Sequence, residues 1–306
     1  MNKLVIGVHP NENTMRVPNR DVPWTPEEIA RVAAECADAG ASLMHYHART
    51  PDGGADHSAA AYAEIARRVR SRCDILLAPS MANAPGNTVE ERLANVAETA
   101  GDPATRADFL VMDMGSANMD LFDPDAARFR TEDRVYVNDT ATQRHLFRRA
   151  RELALKPYLA SFNVGWTRTI LAHLEAGEFA EPGVVVFVLG GPEFTAAHPA
   201  TVEGLRAQLA FLPPGRRIEW IVSAHRGNVL PVAEAAIEMG GHVAIGVGDH
   251  HYGELGHPSN AELVARVAEL AARAGREIAT PDEAREIFGL GPGTRPGTAG
   301  STRCSS

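Results

Sequence analysis

Apolar residues along this chain fall into two alternating periods. Short runs at 4–8, 42–47, 74–78, 107–113, 156–162, 184–189, 218–223 and 242–247 are rich in Val, Ile and Leu and mark strands. Between them, segments 58–70, 89–100, 140–155, 166–176, 201–212, 232–239 and 259–274 repeat apolar residues at helical spacing. One more helix starts at Thr25-Pro26-Glu27-Glu28, a capping box with proline at the first helical position, and Gly40 closes it. The helix from 89 turns Glu90, Glu91 and Arg92 to solvent. Residues 119–136 show no period and read as a long excursion.

Eight strands alternating with eight helices select a (β/α)8 TIM barrel, within a single α/β domain spanning residues 1–290. A doubly wound open sheet is the alternative, but it usually carries fewer strands and a Gly-rich first turn, and no Gly-x-Gly-x-x-Gly follows the first strand. The Gly/Pro/Ser-rich segment 291–306 reads as a disordered tail.

A barrel of this kind carries its chemistry where the strands end. Those ends hold His9 and Glu12, then His45, His47 and Arg49, then Ser80 and Asn83, then Asp113 and Ser116, then Asn163. Gly190 and Gly191, His225 and Arg226, and finally Asp249 and His250 complete the rim. A strand period of two puts His45 and His47 on one face, side by side, where two imidazoles grip one divalent ion, zinc first among them. Ser80 and Ser116 serve as helix-capping hydroxyls or as substrate contacts, and Arg49 and Arg226 as holders of a substrate carboxylate. Of the remaining histidines, His57, His145, His173, His198, His251 and His257 read as solvated, and His242 as a core residue at a strand start.

Composition narrows the class. A formal net charge of −9 argues against a nucleic-acid stripe and against an anionic membrane surface as partner. Cys36, Cys73 and Cys304 are far apart and odd in number, as in a reduced cytoplasmic protein. No apolar run reaches the ~20 residues of a membrane span, and no signal peptide is visible.

Several motifs then carry a resemblance. Thr25-Pro26-Glu27-Glu28-Ile29, Ala39-Gly40-Ala41, His45-x-His47-x-Arg49, Glu91-Arg92-Leu93, Phe187-Val188-Leu189-Gly190, Gly240-Gly241-His242-Val243 and Pro258-Ser259-Asn260-Ala261-Glu262 resemble the β-keto acid cleavage enzymes, as does Ala279-Thr280-Pro281-x-Glu283-Ala284-Arg285. The likeness runs over about residues 3–290. It implies a zinc-dependent barrel, homotetrameric, that condenses a β-keto acid with acetyl-CoA and splits the adduct into acetoacetate and a new CoA thioester. It implies His45 and His47 as metal ligands, Asp249 as general base, and Glu12 and Ser80 as further catalytic positions.

Two positions depart from that pattern: the metal-binding glutamate is Gly248, and the arginine that partners the aspartate is Ala244. The turn after the sixth strand is also altered, to Gly190-Gly191-Pro192. A third protein ligand must then come from elsewhere, with His9, His225 or His250 as candidates. The sequence therefore predicts a metal-dependent carbon–carbon bond-cleaving or bond-forming enzyme acting on a small keto acid or carboxylate. A hydrolase or metal-independent lyase on the same scaffold, or a catalytically silent binding homologue, are the alternatives.

Overall fold

Apolar runs with no polar face belong in a parallel sheet covered on both sides. The computed structural model, which describes residues 2–12, 14–81 and 87–290, places them there. The barrel strands are β1 (Ile6–Val8), β2 (Leu43–Tyr46), β3 (Leu76–Pro79), β4 (Phe109–Asp113), β5 (Lys156–Ser161), β6 (Gly183–Gly190), β7 (Ile218–His225) and β8 (His242–Ile245). All neighbours pair in parallel, in the order β3-β2-β1-β8-β7-β6-β5-β4. The first strand therefore lies between the second and the last, with Gly7 opposite both Leu43 and Ala244.

A side chain closes the ring between β3 and β4. Asp108 donates its N–H to the Leu77 carbonyl at 2.9 Å, and its carboxylate accepts the Leu77 N–H at 2.8 Å. Burial pushes the Asp108 carboxyl up, and the buried Arg70 guanidinium, 3.3 Å away, opposes that shift.

The helices α1 (Pro26–Asp38), α2 (Ala59–Arg70), α3 (Val89–Thr99), α4 (Thr140–Glu152), α5 (Val164–Glu175), α6 (Val202–Leu209), α7 (Leu230–Glu238) and α8 (Asn260–Arg273) cover the sheet. Thr25, Thr88 and Ser259 build reciprocal capping boxes with Glu28, Glu91 and Glu262, which fixes where three helices begin. A ninth helix, α9 (Pro281–Ile287), lies outside the eightfold count, although Thr280 and Glu283 form the same box before it. It plugs the bottom of the barrel: Phe288 packs on Phe109 and His242, the first residues of β4 and β8, with ring centroids 5.7 and 5.5 Å away. His242 is fully buried, and its Nδ1 accepts the Val5 N–H.

The aperiodic stretch after β4 contains two small antiparallel ladders, Ala117–Asn118 with Val135–Tyr136 and Phe122–Asp123 with Arg128–Phe129. His173 differs from its expected solvated state. It is buried on α5, with its Nε2 2.8 Å from Gln143 Oε1 and its ring against Phe147. Segment 291–306 lies outside the described residues. Among the described residues no helix is long and apolar enough to cross a membrane.

Replacing Asp108 by Ala strips the β3–β4 seam of its closing group and leaves Arg70 buried without its carboxylate. The expected loss is about 3–5 kcal/mol, read as a lower denaturant midpoint at unchanged slope; a variant as stable as the parent would show that the seam closes without this side chain.

Candidate metal and active site

The loop leaving β1 is held against the end of β2 by two polar residues. The Asn11 side chain donates to the carbonyls of Pro23 and His47 and accepts the His47 N–H at 3.0 Å. Arg49, itself buried, donates to the carbonyls of Asn11, Glu12 and Gly53. Between these clamps Glu12 sits at φ +29°, on the left-handed side that non-glycine residues seldom occupy.

The result is a carboxylate facing two imidazoles. Glu12 Oε1 lies 3.2 Å from His45 Nε2, and Glu12 Oε2 lies 2.8 Å from His47 Nε2. His45 Nδ1 is 2.7 Å from the Ala78 carbonyl. A carbonyl only accepts, so Nδ1 carries a proton and the neutral ring keeps its Nε2 lone pair for the cavity. Beside this group, His9 Nδ1 bonds Asp249 Oδ2 at 2.8 Å, and the His9 and His45 rings meet edge to face at 5.3 Å.

The electrostatics bind the cluster together. Burial raises the Glu12 carboxyl pKa, but the imidazoles of His47 and His45 overcome that and hold it well below the usual carboxylate range. Burial likewise disfavours the His45 imidazolium, yet the Glu12 charge and hydrogen bond raise its pKa to about 9.

These residues open on a cavity of about 940 Å³. Several buried polar atoms on its wall have no hydrogen-bond partner among the described residues: His9 Nε2, Arg92 Nε, Tyr158 Oη and Ser223 Oγ. Buried polar groups are nearly always paired, so a cluster of orphans around one cavity marks a place built to receive a polar ligand. The ligand atoms of His45, His47 and Glu12 lie within 4.8 Å of one another, and two imidazoles with one carboxylate are a donor set that suits a catalytic zinc. The Ala78 carbonyl, by orienting His45, supplies the outer support such ligands normally have.

Not every residue expected at the rim faces the cavity. His225 and Asp113 line it, and so does Ser80, whose hydroxyl donates to the Met81 carbonyl instead of capping a helix. His250 turns to Glu254, 3.1 Å away, and stands outside the cluster. Arg49 is committed to backbone carbonyls, and Arg226 pairs with Glu193 at 3.0 Å, so neither guanidinium lines the cavity. Gly190 and Gly191 instead permit close backbone approach, since a Cβ on either would meet the carbonyl oxygen of Phe194 or Arg226. The Ser116 hydroxyl accepts the Asn138 N–H, Asn163 caps α5, and Asn83 lies outside the described residues.

Sequence reasoning missed two contributors. Arg92 is buried on α3 and not solvated, and Tyr136 reaches the cavity from the aperiodic excursion. The Tyr136 hydroxyl donates to Asp113 Oδ2 at 2.6 Å and accepts from Arg92 Nη2 at 3.1 Å. Burial pushes the Asp113 carboxyl up, against the pull of Tyr136 and Arg92.

Gly248 has a steric role. A Cβ there would lie 2.6 Å from Asn11 N and 2.7 Å from Glu12 N, inside the loop that delivers Glu12. Gly248→Ala is expected to displace that loop and weaken metal retention by at least about tenfold, measured by competition with a chelator; retention equal to the parent would mean that the loop yields freely.

In metal-free protein the Glu12–His45 pair sets a pH window. The lowered Glu12 pKa adds stability that is present above 4.5 and lost as pH falls, and the raised His45 pKa adds stability that is full below 6.5 and lost as pH rises through about 9. Denaturant titrations should show a decline of about 1–3 kcal/mol from pH 6 to pH 10 in the metal-free parent, flattened in Glu12→Gln. An equal decline in both proteins would exclude the pair as its source.

Comparison with known proteins agrees with this architecture. A family profile described as beta-keto acid cleavage enzyme matches residues 3–290. The 3-keto-5-aminohexanoate cleavage enzyme of Fusobacterium nucleatum subsp. nucleatum is 33% identical over 275 residues, covering 89% of this chain and 92% of that protein. The 3,5-dioxohexanoate:acetyl-CoA acetone transferase of Paraburkholderia graminis is 25% identical, covering 88% of this chain and 89% of its own. In fold, the apo structure of ObcA superposes with a TM-score of 0.71 at 16% identity, over 89% of this chain and 66% of that one. With its eight-stranded barrel and a profile match over nearly its whole described length, the chain belongs to the β-keto acid cleavage enzyme family.

Proposed function

We propose that this protein is a metal-dependent enzyme that cleaves and forms a carbon–carbon bond of a small β-keto acid, with acetyl-CoA as its second substrate. The observation that carries the reading is the Glu12 carboxylate set between His45 Nε2 and His47 Nε2 on the wall of a cavity lined with unpaired polar atoms. His45, His47 and Glu12 would hold a divalent ion, zinc by its preference for such donors, and the ion when bound supplies a Lewis acid for a carbonyl oxygen. Glu12 thereby supplies the carboxylate for which position 248 has no room.

The protein's own groups handle the proton. Asp249 is buried, lines the cavity and is hydrogen bonded to His9. Position 244, where the related pattern has an arginine to hold the aspartate, is Ala here, and His9 takes that place beside Asp249. The His9–Asp249 pair removes a proton next to the ketone and returns it to the departing fragment. Ser80 contributes a hydroxyl from the end of β3, and the His225 imidazole, its pKa lowered by burial, stays neutral beside the reacting groups. The named activities of the relatives, one a cleavage enzyme and one an acetyl-CoA-dependent transferase, support the substrate pair.

Elemental analysis of purified protein should find about one zinc or similar ion per chain, absent from a His45→Ala/His47→Ala double variant. Acetyl-CoA consumption with a β-keto acid should stop on chelation, and fall about 10²–10⁴-fold in Asp249→Asn. A folded, metal-free protein with full turnover would sink the reading, as would metal binding with no turnover of any β-keto acid.

A further inference from the structure

The cavity holds one strong feature that the proton and metal chemistry does not use. Arg92 projects from the first turn of α3 and is only 6% exposed, although it follows two exposed glutamates in sequence. A guanidinium offers five donors. Among the described residues, Arg92 makes one side-chain hydrogen bond, from Nη2 to Tyr136 Oη at 3.1 Å, and its Nε is buried without a partner.

Its surroundings leave that charge without a direct carboxylate partner among the described residues. The nearest acid in the network, Asp113, is reached only through Tyr136, whose hydroxyl proton is already given to Asp113 Oδ2 at 2.6 Å. Arg92 forms no direct ion pair with a carboxylate among the described residues. Val111, Ala160 and Val188 face the same cavity, and such walls exclude water and strengthen any charge–charge contact made between them. Arg134 also reaches this cavity, but it is exposed, where solvent and salt screen it.

We infer that Arg92 is the carboxylate anchor of the keto-acid substrate, its planar fork gripping a carboxylate while the opposite end of the molecule lies against His45, His47 and Glu12. The inference rests on the keto-acid reading only in taking the ligand to be an acid. Tyr136 positions the guanidinium by accepting from Nη2 and by packing its ring 5.7 Å from the guanidinium carbon. The carboxylate is either the one next to the ketone, present in every β-keto acid, or a second one at the far end of a dicarboxylate. Both present the same chemistry to Arg92.

Calorimetric titration of the protein as purified with acetoacetate, its neutral methyl ester and 3-oxoadipate tests this without requiring turnover. The parent should bind 3-oxoadipate more tightly than the ester, and acetoacetate too if the carboxylate on the ketone side is the one held. Arg92→Met should weaken the acids at least about tenfold while leaving the ester unchanged, with Arg92→Lys between the two. Weakening of both acids assigns the carboxylate beside the ketone, and weakening of 3-oxoadipate alone assigns the distal one. If Arg92→Met fails to give a cooperative melt, Arg92→Lys carries the test through the same ratio of acid to ester affinity. Ester binding in the parent equal to that of both acids, or an equal loss of ester and of both acids in either folded variant, overturns the anchor. Acid binding that depends on Arg92, without acetyl-CoA consumption, would leave the anchor standing and remove only the cleavage reaction.

Discussion

Everything at the top of this barrel depends on one carboxylate facing two imidazoles at 3.2 and 2.8 Å. Bringing Glu12 there requires a left-handed backbone at a residue with a Cβ, and the cost is met by neighbours that exist for little else. Asn11 ties the loop to the His47 backbone from one side, and Arg49 holds the carbonyls of Asn11 and Glu12 from the other. Gly248 then follows as a necessity, because the loop occupies the volume of any side chain at that position. Three separate stretches of chain, Asn11-Glu12, Arg49 and Gly248, are thus parts of a single constraint, and β1 can impose it because it pairs with β2 on one side and β8 on the other.

The barrel divides its work between its two ends. At the bottom, Phe288 and the α9 segment seal the interior against Phe109 and His242. Asp108 closes the seam between β3 and β4 by accepting the Leu77 N–H, with Arg70 3.3 Å from its carboxylate. At the top, His9, Arg92, Tyr158 and Ser223 keep buried polar atoms without partners among the described residues, and all of these face the one cavity.

The barrel is legible in the sequence because parallel strands and amphipathic helices carry different periods, and because capping boxes mark helix starts one residue at a time. The His45/His47 pair is legible for the same reason, as strand alternation alone puts both rings on one face. Arg92 is not, because it follows Glu90 and Glu91 and its burial depends on Tyr136 arriving from a segment with no period at all. Arg49 and Arg226 mislead in the opposite way. An arginine at a strand end reads as an anion site, yet these two are spent on backbone carbonyls and on Glu193, partners that no local pattern reveals. The ninth helix escapes a count of alternating units, although its Thr280-Pro281-Asp282-Glu283 start is as clear as the one at Thr25.

The proposed donor set also bears on what the site would do. Held by His45, His47 and Glu12, a divalent ion would keep less residual charge than on three histidines, so a water held there would be less acidic. That disfavours hydrolysis and favours polarising a substrate carbonyl, with proton movement left to His9 and Asp249. The same economy fits a cation placed apart, on Arg92. A positive charge beside the imidazoles would oppose the proposed metal binding, whereas one tied to Tyr136 and, through it, to Asp113 would attract an acid without crowding the ligands.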